Sequence, residues 1–115
     1  MMSTEATLTH HLQAIGQGID PIMSDYTDES VLFTPDGPIK GLAGIREFFA
    51  TFLDNSPPEL IQALTVTRQD VEGEVAYILW QAVPFIPFAA DTFVIRDGKI
   101  LFQSFAIPAP ASSGV

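Results

Sequence analysis

The stretch Asp25–Leu53, DYTDESVLFTPDGPIKGLAGIREFFATFL, decides the fold, because it spells out a strand, a tight turn and an amphipathic helix in immediate succession. Val31-Leu32-Phe33-Thr34 is a β-branched and aromatic run that favours a pleated backbone. Pro35-Asp36-Gly37-Pro38 then turns the chain, with two prolines that lack ladder donors and a glycine that tolerates positive φ. Beyond Gly41 the period changes: Ile45, Phe48, Phe49, Phe52 and Leu53 recur at three- and four-residue spacing, which lays one apolar stripe along a helix.

Upstream, Ser3 or Thr4 is placed to cap a first helix whose inner face carries Leu8, His11, Leu12 and Ile15, and Gly16 and Gly18 end it. Asp20 followed by Pro21 reads as the cap and first turn of a second, short helix. Downstream, Asn55-Ser56-Pro57-Pro58 is a break, and Leu60–Val71 reads as one long strand. Glu72-Gly73-Glu74 turns it into Val75–Val83, whose two parities are both apolar. A strand apolar on both sides needs cover on both sides, and three helices cover one sheet face, so a homodimer through the outer sheet face is expected. Pro84 and Pro87 interrupt the sheet and form a stiff rim. Phe88–Arg96 and Lys99–Ile107 form a hairpin about Asp97-Gly98. The expectation is one domain over residues 1–107 with a disordered tail over 108–115, in the order ααββαββββ.

The segment GLAGIREFF, together with the preceding aromatic, acidic, strand and proline-turn pattern, resembles the SnoaL-like branch of the nuclear transport factor 2-like superfamily and the ketosteroid isomerases within it. The likeness runs from about Thr4 to about Ile107. It implies an α+β fold in which a strongly curved antiparallel sheet wraps over three N-terminal helices to form a cone. It also implies a pocket for a small hydrophobic molecule, with Tyr26, Phe33, Thr34, Phe49, Phe52, Trp80, Phe93 and Phe105 as its expected lining.

Asp91 is the most informative charged residue, because it shares strand parity with Phe93 and Ile95 on an apolar face. Desolvation there disfavours its ionised form. By resemblance it stands where ketosteroid isomerases hold a carboxylic acid against an enolate oxygen, an enzyme that serves as a standard example of a carboxyl group kept neutral. His11, or its neighbour His10, falls near the tyrosine of that same pair, and a histidine there could donate to an oxyanion or act as a base. Thr34 matches the position of the isomerases' aspartate base, and a threonine hydroxyl does not ionise usefully at neutral pH. The candidate catalytic pair is therefore Asp91 with His11, in an isomerase, cyclase or hydrolase working by acid/base chemistry. The alternative is a non-catalytic ligand-binding or dimerisation domain.

Composition narrows the partners. Five basic against fourteen acidic residues give a net charge of -9, which repels a phosphate backbone, so no nucleic-acid partner is expected. No cysteine is present, and adjacent His10 and His11 point apart on a helix, so neither a metal nor a cofactor is expected. No apolar run approaches the ~18 residues of a membrane span. A cytoplasmic protein follows as the expectation.

Overall fold

A computed structural model of the chain describes residues 2–108. Helices α1 (Thr4–Ala14) and α2 (Ile19–Met23) precede the hairpin β1 (Val31–Thr34) and β2 (Gly37–Lys40). Then come α3 (Leu42–Asn55), α4 (Pro58–Ala63), β3 (Thr65–Glu72), β4 (Val75–Ala82), β5 (Ile86–Arg96) and β6 (Lys99–Ala106). The six strands form one curved sheet in the order β2-β1-β6-β5-β4-β3. Register shifts at Val66/Arg68, Trp80/Ala82 and Val94/Ile95 interrupt the ladders, and irregularities of this kind bend and coil a sheet. The core lies between the concave face and the helices, around Leu8, Ile22, Leu32, Ile45, Phe93 and Ile100.

The α+β class stands, and four details differ from the sequence reading. Leu60–Val71 is not one strand: Pro57 and Pro58 start a helical turn, Glu59 sits favourably in that turn, and Leu60 is buried by it. The order is therefore ααββααββββ, because a short apolar run satisfies either period. The sheet is not wholly antiparallel, since β1 pairs with β6 in parallel through Val31↔Phe102 and Phe33↔Ser104. Pro87 lies inside β5, within the irregular stretch between the Ala82↔Ile86 and Trp80↔Ala89 pairs, where no regular ladder needs its missing donor. Asp20 does not cap α2, whose N-cap is Gly18; its carboxylate takes Arg46 Nη2 at 2.5 Å instead. The tail expected over 108–115 lies, apart from Pro108, outside the described residues. Among the described residues no helix is long and apolar enough to cross a membrane.

Two glycines explain the GLAGIREFF segment. Gly41 precedes α3 with φ +88, and a Cβ there would meet Asp28 O at 3.3 Å. Gly44 packs against β2, where a Cβ would come within 2.8 Å of Ile39 Cγ2. The Gly41→Ala variant is expected to lose about 1–3 kcal/mol, the usual cost of holding a non-glycine residue in such a conformation. Urea denaturation checks it, and an unchanged midpoint would remove the conformational explanation of this position.

Candidate active site

The sheet register builds the inner wall. Asp91 of β5 lies opposite Ile78 of β4 and Phe105 of β6, while Phe93 lies opposite Gln103. Alternation then points Ile78, Trp80, Asp91, Phe93, Gln103 and Phe105 to the same face. Trp80 and Gln103 are diagonal neighbours of Asp91 and long enough to reach it. The apolar stripe of α3 supplies Phe48, Phe49 and Phe52 opposite, and α1 supplies His11 and Leu12. Between these walls lies a cavity of about 790 Å³.

At its inner end Asp91, only 8% exposed, accepts two hydrogen bonds. Trp80 Nε1 donates to Oδ1 at 2.7 Å and Gln103 Nε2 to Oδ2 at 2.9 Å. The buried Tyr26 hydroxyl donates in turn to Gln103 Oε1, which orients the amide. Burial raises the Asp91 carboxyl above its ordinary range, and the two N–H bonds oppose that rise. The result is a carboxylate held in place by two donors and made more basic by its surroundings. Tyr26 is pushed well above the phenolic range by burial, with the Asp91 and Asp25 charges adding to it, so it stays a neutral donor.

His11 is 3% exposed and its ring meets Tyr26, Phe49 and Phe93 edge-on. Its pKa falls to about 4, mainly through burial and then through the nearby His10, so the ring is neutral at physiological pH. Nδ1 has no hydrogen-bond partner and stands 3.9 Å from Asp25 Oδ2, beyond bonding distance. His10 is the histidine that pairs with Asp25, with Nδ1 at 2.8 Å from Oδ1 and 2.9 Å from Oδ2. Burial raises the Asp25 carboxyl, and the His10 bond acts against that rise.

Of the residues anticipated from sequence, His11, Phe49, Phe52, Trp80, Asp91, Phe93 and Phe105 line this cavity. Tyr26, Phe33 and Thr34 do not. Tyr26 lies behind Gln103 and acts on the site through it. Phe33 is 45% exposed, because its parity in β1 is opposite to that of the buried Leu32. Thr34 closes the β1–β2 turn, where its hydroxyl donates to Gly37 O at 2.8 Å and accepts from Asp36 N at 3.0 Å. Gln103 was not anticipated, although it shares parity with Phe105; counting from the Asp97-Gly98 turn would set it opposite Thr92, and the register shift at Val94/Ile95 is what brings it opposite Phe93, onto the Asp91 face. Among the described residues no group of three or more histidine, cysteine or acidic side chains could hold a metal ion.

This arrangement of helices, curved sheet and cavity is the nuclear transport factor 2-like fold. No family model matches the chain, and no curated protein matches it in sequence. Solved structures match it in shape. An NTF-2 like protein of unknown function from Burkholderia xenovorans LB400 is 19% identical with a TM-score of 0.72, over 96% of this chain and 88% of that one. A SnoaL-like protein of unknown function from Burkholderia thailandensis E264 is 14% identical with a TM-score of 0.72, over 92% and 95%. TerC, co-crystallized with polyporic acid, is 15% identical with a TM-score of 0.71, over 91% of each chain. At these identities the likeness is one of fold, and function has to be argued from the site.

Proposed function

We propose that this protein binds a small, largely apolar molecule in the cavity and acts on it by cofactor-independent acid/base chemistry, as an isomerase, cyclase or hydrolase of the SnoaL-like kind. The observation that carries this reading is the buried Asp91 carboxyl, fixed by Trp80 and Gln103 at the inner end of an apolar cavity. A largely buried carboxylate of raised basicity, held still by two donors, is suited to lifting a proton from a substrate and returning it at another atom. The neutral His11, which also lines the cavity, serves as a hydrogen-bond partner for the oxygen on which charge develops. The proton-shuttling role of a second aspartate, as in ketosteroid isomerase, has no counterpart at Thr34. TerC, a protein of the same fold, was crystallized with a small molecule, in keeping with a ligand-holding role. The second reading is a ligand-binding domain without turnover, favoured by one observation: Asp91 already accepts two bonds from its own protein.

Homodimerisation belongs to the same proposal. Val75, Tyr77 and Phe102 are exposed on the convex face, and a second copy would cover them. Native mass spectrometry of protein isolated from its own host tests both parts. A dimer with a retained small molecule is expected, and a bare monomer would sink the outer-face pairing. With the retained compound as substrate, Asp91→Asn is expected to abolish turnover while leaving binding in place. Full turnover in that variant would remove Asp91 from the chemistry, and no turnover in the parent would leave the ligand-binding reading in possession of the site.

A further inference from the structure

The cavity's charge and hydrogen-bond polarity carry a more specific statement about its ligand, one that rests on the reading of the cavity as a ligand site. Among the described residues, no lysine or arginine lines the cavity, whereas the carboxyl groups of Asp91 at the inner end and Glu47 at the mouth both do. Four of the five basic side chains are engaged elsewhere, Arg46 with Asp20, Arg68 with Asp70, Arg96 with Glu74 and Lys99 with the Ser24 carbonyl, and the fifth, Lys40, lies in β2 and is not part of the lining. The whole chain carries a charge of -9, so its field adds to these two carboxyl groups.

Most of the donors at the inner end are already engaged, which leaves the second Gln103 N–H and the neutral His11 ring beside the free lone pairs of Asp91. The Trp80 N–H and the Tyr26 O–H are both spent within the Tyr26–Gln103–Asp91–Trp80 network, and so is one Gln103 N–H. A carboxylate offers about four lone-pair sites. Asp91 has two of them filled, which leaves acceptor capacity facing the cavity. The walls between carry the rings of Phe48, Phe49, Phe52 and Phe105, and aromatic ring faces attract cations.

We infer that the cavity selects an apolar, ring-bearing ligand that leads with a hydrogen-bond donor, an ammonium, phenol, alcohol or enol group, and turns away carboxylates and phosphates. Asp91 receives the donor, and Glu47 extends the discrimination to the mouth. Anionic substrates such as free fatty acids and acyl phosphates are thereby excluded.

Isothermal titration calorimetry near neutral pH with naphthylmethylamine, naphthylmethanol and naphthoate tests this with one ring system and three head groups. The amine and the alcohol are expected to bind at least about tenfold tighter than the carboxylate, a conservative figure for like charges a few Å apart in a partly shielded site. Asp91→Asn should close most of that gap, because it removes the charge and supplies a donor. Glu47→Gln, an exposed change that leaves the core intact, should narrow it about two- to threefold at low ionic strength and less in high salt. Naphthoate binding as tightly as the other two would overturn the inference while leaving the cavity a ligand site. A gap that neither variant alters would overturn the assignment to these two carboxyl groups. Heat from none of the three would count against the cavity reading itself, and the inference would fall with it.

Discussion

Replacing Gln103 with leucine is expected to destabilise the protein by about 3–5 kcal/mol, because it strands two buried polar groups at once. Gln103 is buried and lies between Tyr26 and Asp91, accepting from the phenol and donating to Asp91 Oδ2. Leucine fills a similar volume but offers neither bond. The Tyr26 hydroxyl loses its acceptor, and one oxygen of the largely buried carboxylate loses its donor. Burial is already the larger influence on Asp91 and raises its carboxyl, with the Gln103 bond among the forces that restrain it. The variant should therefore also titrate Asp91 at a higher pH than the parent. Urea denaturation measures the first effect and carboxyl-carbon NMR titration the second. A variant within about 1 kcal/mol of the parent, with Asp91 titrating unchanged, would show that the network is not what holds the carboxylate.

Acidification should remove about 3 kcal/mol of stability through His11 alone. Its folded pKa, about 4, lies below the ordinary value of 6.5, chiefly because the ring is buried. Between those values the unfolded chain binds the proton and the folded chain does not. The His11 contribution is thus fully present above pH 6.5 and is lost as pH falls from 6.5 towards 4. Asp91 and Asp25 work in the opposite direction, since their folded values are raised. Their contribution is present below the ordinary carboxyl value and is lost as pH rises through the folded one. The total slope is therefore a difference, and comparison with a His11→Gln variant isolates the histidine. The stability gap between parent and variant is expected to shrink across that window as pH falls. A constant gap, followed by urea midpoints at successive pH values, would mean that His11 is not held neutral by burial.

Much of the architecture was legible in local pattern. The change of period at Gly41, the Asp97-Gly98 turn and the alternation around Asp91 each involve residues close in sequence, and backbone sterics plus side-chain period suffice to read them. The same locality limits what could be read. Leu60–Ala63 is four residues of apolar and polar side chains that fit a helix or a strand equally, and its helical state depends on the two prolines before it and on burial of Leu60. The parallel pairing of β1 with β6 joins residues about seventy positions apart, for which no local rule exists.

The site divides in the same way. By itself the sequence determined that Asp91 shares a face with Phe93, that α3 presents an aromatic stripe, and that the chain is strongly acidic, because composition and strand or helix period are properties of the chain alone. Only the tertiary structure decided that Phe33 and Thr34 stay outside the cavity, that His11 lines it while His10 pairs with Asp25, and that Trp80, Gln103 and Tyr26 form one network around Asp91. Those outcomes depend on register between strands and on which helix covers which part of the sheet. Register and cover are settled by the joint packing of side chains remote in sequence, and no single segment contains that information.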